Sequence, residues 1–286
     1  MLYLILSIIC SVTVGVIFKT SKKYTANISQ IVAWNYIFAI VLCYLFFKPD
    51  LQTVTNDAPW ELYIPLSILL PSVFVFLALS IKHMGIVKTD AAQRLSLFIP
   101  VIAAYFLFEE SFSVYKIIGL AIGFPAIALI LSKKDNNTEN KWLYPAIVLF
   151  GFGTVDVLFK NIALQTSLPF TTSLFVIFCG ALVIAWLYVI YELIVKKEKF
   201  CLFNFAFGAL VGIFNFCNIL FYLYAHKEFA KDPSVVFAGM NMGVIVLGSL
   251  AGIFVFREKM TRLNYLGLFM ALCAIIFITL SQMQSA

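Results

Sequence analysis

Ten long apolar segments occupy most of this chain, and they constrain its fold more than any other feature. A helix needs roughly 20 apolar residues to cross a bilayer, and these segments approach that length. A membrane-spanning chain must satisfy its backbone hydrogen bonds as helices or as a closed barrel, and the alternating pattern of barrel strands is not seen here. The sequence therefore predicts an all-α integral membrane protein whose ten transmembrane helices cover about residues 2–18, 30–47, 62–82, 90–108, 115–132, 142–164, 170–191, 203–225, 233–256 and 264–281.

The composition excludes most other classes of protein. Of the 286 residues, 63% are hydrophobic and 12% are charged, whereas soluble domains carry about 25% charged residues. The net charge of +6 comes from lysines and arginines dispersed among loops, which argues against a nucleic-acid partner. We therefore expect the partner to be the lipid bilayer and the location to be the cell (inner or plasma) membrane, crossed several times.

A seven-residue stretch occurs twice. Residues 13–19 read TVGVIFK and residues 154–160 read TVDVLFK, so five of the seven positions match at an offset of 141. The important difference is that Gly15 of the first copy becomes Asp156 in the second. An offset of about half the chain indicates an internal duplication.

A second pair of stretches extends the duplication. FLFEESFSVYKIIGLAIG, which contains Glu110, aligns without a gap with FVFREKMTRLNYLGLFMA, which contains Glu258, at an offset of 148. The two domains predicted from this are residues 1–132 and 142–281, each with five helices. Because an odd number of spans reverses the direction of the next repeat, the halves are predicted to be inverted, an architecture typical of transporters.

These features together resemble the drug/metabolite transporter superfamily, and the EamA-type ten-helix transporters in particular. The likeness covers roughly residues 1–132 and 142–281, and it depends on a glutamate-bearing turn followed by a glycine-containing helix in each half. The family's Gly-Glu-Arg turn is present here as FEES and FREK, so that only Glu110 and Glu258 carry over. The resemblance implies the fold but not the solute.

The orientation stays open. Loops after odd-numbered helices carry fourteen lysines and arginines, against four on the other side. The positive-inside rule then places both termini outside, whereas the resemblance implies that both are cytoplasmic.

Two charged residues of the sixth segment are candidates for coupling. Asp156 and Lys160 are four residues apart, so they share a helix face. A carboxylate within a membrane span usually marks a pathway or site. We expect the pair to link transport to a proton, and the alternative is an ion pair that only fixes helix packing.

A second set of candidates lies in the fourth segment. Arg94, beside Gln93, has the planar geometry to bind an anionic group, and the alternative is a side chain that reaches to the interface. Pro100 follows, and its counterpart in the second half is Gly248. Proline or glycine interruptions at matching positions of two halves point to a transporter site, so these two are predicted hinges.

Polar side chains on the eighth and ninth segments complete the predicted substrate site. Asn215, Asn218 and Tyr222 recur at spacings of three and four, which places them on one helix face, and Asn241 lies on the next helix. Each amide alone fits an inter-helix contact, whereas a stripe of them favours a binding surface.

The function that this pattern favours is secondary transport of a small polar or amphipathic metabolite, such as an amino-acid-like solute, by alternating access. The alternative is an intramembrane enzyme acting on a lipid-soluble substrate. No GxSxG or HExxH motif is present, so we predict no enzyme, no metal site and no cofactor. The sequence does not distinguish a monomer from a homodimer, import from export, or proton-coupled from uncoupled transport.

Overall fold

The structure is a computed structural model that describes residues 1–24, 26–55, 58–96, 98–99, 102–103, 113–131, 141–164, 168–228 and 233–285. Within these residues the protein is all-α. The ten helices are α1 (Leu2–Ser21), α2 (Ile28–Phe47), α3 (Trp60–Met84), α4 (Ile86–Leu95), α5 (Val114–Leu131), α6 (Leu143–Leu164), α7 (Phe170–Val195), α8 (Leu202–Glu228), α9 (Pro233–Leu250) and α10 (Arg262–Ser285). The all-helical architecture predicted from the apolar segments is confirmed.

The fourth segment is the one whose bounds were predicted poorly. The helix was expected at 90–108; α4 begins at Ile86 and ends at Leu95, and residues 98–99 and 102–103 beyond it are again helical. Its early start follows from Gly85, which has a φ of +91° and so breaks the chain direction directly after α3. Most of residues 97–112 lies outside the described residues, and this includes Pro100 and Glu110.

Among the described residues, six helices are long and apolar enough to cross a membrane, namely α1, α2, α3, α7, α8 and α10. Shorter apolar stretches lie in α5, α6 and α9. Large apolar side chains are exposed along one face of α7, at Val183, Leu187, Ile190 and Ile194. Such a stripe would be unfavourable in water, whereas in a bilayer it is the surface that contacts the lipid tails.

Contacts at both ends of α5 and α10 fix the relative direction of these two helices. Ser113, just before α5, donates a 2.7 Å hydrogen bond to Ser281, near the end of α10. At the opposite ends of the same two helices, the side chain of Asn264 donates to the carbonyl of Leu129 at 2.9 Å. Helices α5 and α10 therefore pack antiparallel along their whole length.

The pairs of packed helices follow a rule. Helix α1 packs on α8 and α6 packs on α3; α2 packs on α8 and α7 packs on α3; α1 packs on α9 and α6 packs on α4. In each of these three comparisons, the second pair is obtained from the first by replacing every helix of α1–α5 with the helix five places later, and every helix of α6–α10 with the helix five places earlier. This exchange is the pattern expected of two related five-helix units, and the division into residues 1–132 and 142–281 stays a prediction.

Glycines allow the closest of these contacts. A Cβ placed on Gly208 would meet Trp34 and the carbonyl of Ile31, and one on Gly212 would meet the carbonyl of Asn35 and Phe38. The GxxxG pair of α8 thus lies directly against the backbone of α2, as small residues at this spacing allow in membranes.

Candidate functional site

A small polar cavity lies where α1, α3, α4 and α8 meet. Its volume is about 40 Å³, which is room for about three water-sized groups. One side is apolar and the other is polar, and this combination is typical of a site that both holds and orients a small group. The lining residues are Ser11, Val14, Gly15, Phe74, Leu77, Ile81, Asp90, Gln93, Asn215 and Asn218.

Three of the predicted substrate-binding residues line this cavity. Asn215 and Asn218 come from the same face of α8, and Gln93 comes from α4. The Asn215 amide lies 3.4 Å from the Asn35 oxygen, and the Asn218 oxygen accepts a 2.7 Å hydrogen bond from the Ser7 hydroxyl. These contacts fix the amides in place, and both residues still border the cavity.

Arg94 lies beside the cavity and not on its lining. Its guanidinium donates a 2.9 Å hydrogen bond to the hydroxyl of Ser11. The same group interacts electrostatically with Asp90, Asp156 and Tyr222. Its Nε is buried and has no hydrogen-bond partner among the described residues.

Asp90 is a cavity residue that the sequence did not single out. It is 6% exposed, and its Oδ2 has no hydrogen-bond partner among the described residues. This oxygen occupies the space beside Gly248 of α9, where an added Cβ would overlap it. Gly248 therefore makes room for the Asp90 carboxylate, and its role as a hinge stays a prediction.

Glu258 positions the helix that carries these residues. Its two carboxylate oxygens accept hydrogen bonds from the backbone N–H of Ile86 at 2.6 Å and of Val87 at 3.2 Å. A helix leaves its first N–H groups without internal partners, and a carboxylate there also favours the helix dipole. Lys19 completes the contact with an ion pair of 3.4 Å to Glu258. One end of α1, the start of α4 and the turn after α9 are thereby joined.

The remaining predicted site residues are more scattered. Asp156 is exposed on α6 and interacts electrostatically with Arg94, while the side chain of its predicted partner Lys160 lies outside the described residues. Tyr222 packs against a cluster of buried residues that includes Leu4 and Val12 of α1 and Met240 and Val244 of α9. Asn241 is half-buried on α9 and is not part of the described cavity lining.

A second, larger groove lacks the polar lining of this cavity. It has a volume of about 450 Å³ and runs between α3 and α6. Its walls are almost wholly apolar, and Phe150 and Trp142 in it are largely exposed. Without convergent polar groups, such a groove cannot orient a polar solute, so the smaller cavity is the candidate site. Among the described residues, no three His, Cys, Asp or Glu side chains are placed to hold a metal ion.

Two of these residues carried a signal in the sequence. Asp90 and Arg94 have the same i, i+4 spacing, acid first, as Asp156 and Lys160. The neighbouring Lys88 and Thr89 make the start of α4 as polar as a loop. The sequence therefore did not indicate that Asp90 and Arg94 form a pair on one helix. The cap that Glu258 provides joins positions 172 residues apart, and local periodicity carries no information on such a contact.

In the described part of the chain, ten mostly apolar helices with a polar cavity between four of them define a multi-pass membrane protein. A model of the EamA-like transporter family matches residues 1–132. A protein of Haemophilus influenzae described as uncharacterised is 39% identical over 282 residues, which is 95% of each chain. The chain belongs to the EamA-like transporter family, part of the drug/metabolite transporter superfamily.

The comparison of folds agrees with this assignment. A protein of known crystal structure aligns with a TM-score of 0.64 at 12% identity, covering 100% of this chain and 98% of the other. At that identity the likeness extends to the fold alone. Members of the family are transporters and not enzymes, so the function is movement of a small molecule across a membrane, and the alternative of an intramembrane enzyme is rejected.

Proposed function

We propose that this protein is a secondary transporter of a small polar or amphipathic metabolite, and that it works by alternating access between two inverted five-helix units. The observation that carries the proposal is the cavity between α1, α3, α4 and α8, which presents amides, a hydroxyl and a carboxylate to a space opposite apolar walls. The exchange of helix pairs described above supports the inverted arrangement, because two such units can rock against each other around a central site.

The proposed substrate site consists of residues from α4, α8 and α9. Gln93, Asn215 and Asn218 line the cavity, and Arg94, which lies beside it with an unpartnered Nε, is the proposed partner of an anionic group. Tyr222 and Asn241 would join the site when the helices move apart. A cavity of about 40 Å³ admits only the head group of a metabolite. Opening to either side of the membrane must therefore enlarge it.

Coupling to a proton is assigned to Asp156, with Lys160 as its partner. Asp156 lies in α6 and interacts electrostatically with the guanidinium of Arg94. A change of charge at Asp156 would therefore alter the electrostatic interaction of Arg94, a residue of the proposed substrate site. Pro100 and Gly248 are the proposed hinges.

The test is uptake into proteoliposomes with a panel of labelled metabolites that carry a carboxylate, an amine, both or neither. Saturable uptake of one class by the full-length protein is expected. Asn218→Ala should lower that uptake about tenfold or more, because it removes an amide from the cavity. Saturable uptake that is identical in the variant would exclude Asn218 from the site.

A matched control uses another asparagine. The side chain of Asn161 bonds only to the carbonyl of Val157, one turn earlier in α6, at 3.2 Å among the described contacts. Asn161→Ala removes the same chemical group away from the cavity and is expected to leave uptake unchanged. Failure of every metabolite to show saturable flux would reject the transport proposal itself.

A further inference from the structure

The groove between α3 and α6 is a surface that the proposed function leaves unused. Its volume of about 450 Å³ is within the usual range of ligand pockets, about 300–1,000 Å³. The two hydroxyls in its lining are turned to their own helices: Ser72 donates to the carbonyl of Ile68 at 2.7 Å, and Thr154 donates to the carbonyl of Phe150 at 2.9 Å. The described lining therefore offers hydrocarbon contact to a ligand and little else.

The length of the groove matches one leaflet of a bilayer. The residues of α6 that line it run from Trp142 to Thr154, a rise of about 18 Å at roughly 1.5 Å per residue. The hydrocarbon core of a bilayer is about 30 Å thick, so one leaflet contributes roughly half of that. Trp142, in the first turn, is 48% exposed, and tryptophan favours the membrane–water interface. The groove thus extends from one interface to about the middle of the membrane.

Basic groups lie at the interfacial end of the groove. Lys82 and His83 are in the last turn of α3. His83 follows Phe76, a residue of the groove lining, by seven positions, so the two share a face of the helix. The His83 ring stacks on the ring of Tyr144 in α6, with centroids 5.4 Å apart. Lys141 comes just before α6, and its carbonyl accepts the backbone N–H of Tyr144 at 3.2 Å. The positive end of the α6 helix dipole is directed to the same place.

Acidic groups lie elsewhere on these two helices. Among the described residues of α3 and α6, the acids are Glu61 and Asp156. Glu61 is in the first turn of α3, at the opposite end from His83, and Asp156 lies beyond the last lining residue of α6. Glu258, which approaches the turn after α3, forms its ion pair with Lys19. The charge pattern is therefore positive at the interface and apolar along the groove, which complements a ligand with a negative head and a hydrocarbon tail.

We infer that this groove holds one acyl chain of an anionic phospholipid, whose phosphate lies at Lys82, His83 and Lys141. The exposed face of α7 contacts lipid tails as a convex surface, whereas here the chain lies between two helices and above a basic end. Helices α3 and α6 belong to different predicted five-helix units. A lipid in the groove would therefore contact both units at once.

The test is native mass spectrometry of the full-length protein in detergent, titrated with phosphatidylglycerol or with phosphatidylcholine of the same acyl chains. One phosphatidylglycerol should bind saturably, at least about tenfold more tightly than phosphatidylcholine, because each lysine close to an anionic head group contributes about fivefold. This comparison needs no variant. Equal binding of the two lipids by the wild-type protein would overturn the inference.

The basic end is tested by a double variant. Lys82→Gln with Lys141→Gln should remove most of the preference for phosphatidylglycerol. The matched control is Lys23→Gln with Lys227→Gln, which makes the same change of net charge at exposed lysines away from the groove and should keep the preference. An equal preference in the two double variants would contradict a head-group site at Lys82 and Lys141.

The groove itself is tested by filling it. Ala146→Phe places a ring in the groove and should weaken binding of both lipids at least about fivefold. Val183→Phe, on the exposed face of α7, is the matched control and should leave binding unchanged. Equal binding by these two variants would exclude the groove as the seat of the acyl chain.

Two further outcomes would assign the surface to another occupant and overturn the inference. Displacement of phosphatidylglycerol by an equal concentration of glycerol phosphate would show a site for a soluble anion, to which the acyl chain adds nothing. A dimer mass that Ala146→Phe abolishes and Val183→Phe preserves would show that the groove is an interface between two copies of this chain.

Discussion

The carboxylate of Glu258 accepts a 2.6 Å hydrogen bond from the backbone N–H of Ile86, which ties the turn after α9 to the start of α4. The same side chain is 10% exposed and forms the ion pair with Lys19. Since α4 carries Asp90, Gln93 and Arg94, this contact sets the position of one wall of the cavity. The family glutamate thus caps the helix that carries these residues, and it is not part of the described cavity lining.

The first prediction follows from that contact. Glu258→Ala removes a cap and leaves Lys19 without its carboxylate, so we expect a loss of about 3 kcal/mol in unfolding free energy. Glu258→Gln keeps one acceptor oxygen for Ile86 and should lose less. Thermal unfolding in detergent measures both. In a double-mutant cycle, Lys19→Met should cost little once Glu258 is already alanine, and additive losses would contradict the pairing.

The second prediction concerns Gly248. A methyl group at this position would overlap the Asp90 carboxylate, so Gly248→Ala should lower stability by about 1–3 kcal/mol, the usual cost of overpacking. Gly15→Ala is the matched control, because its Cβ would lie 3.9 Å from Ile81 and Ile86, an ordinary contact. That variant should be neutral or slightly stabilising. Equal unfolding temperatures for the two variants would show that α9 moves freely away from Asp90.

The third prediction concerns Arg94. If its guanidinium receives an anionic group, Arg94→Lys should reduce uptake of solutes with a carboxylate more than uptake of neutral ones, because an ammonium cannot make the planar paired contact. The measurement is the ratio of the two uptake rates in wild type and variant. An equal loss for both classes, with normal folding, would assign Arg94 to structure alone, through its contact with Ser11.

The fourth prediction concerns Asp156. Asp156→Asn should fold, should lose any component of transport that depends on a pH gradient, and should retain exchange of solute, which needs no net proton movement. Flux against a pH gradient and solute exchange are measured side by side in the same proteoliposomes. Wild type and variant responding alike to the gradient would leave Asp156 in a packing role.

What the sequence determined by itself is the set of helices and their environment. A bilayer offers the backbone no hydrogen bonds, so each apolar run of sufficient length must become a helix, and the bounds follow from where the apolar residues end. The same local rule places Gly208 and Gly212 on one face of α8, since spacing on one helix fixes which residues share a face. It also placed Asn215 and Asn218 together on the face that lines the cavity.

What only the tertiary structure decided is which distant groups meet. Asp90 lies on the cavity because Gly248, on a helix more than 150 residues later, leaves space for its carboxylate. Glu258 caps α4 because the turn after α9 is brought to that helix end by the packing of α1, α4 and α9. Neither contact follows from a local sequence pattern. Each is stabilised by packing between helices that are distant in the chain, and the order of residues along one helix does not determine that packing.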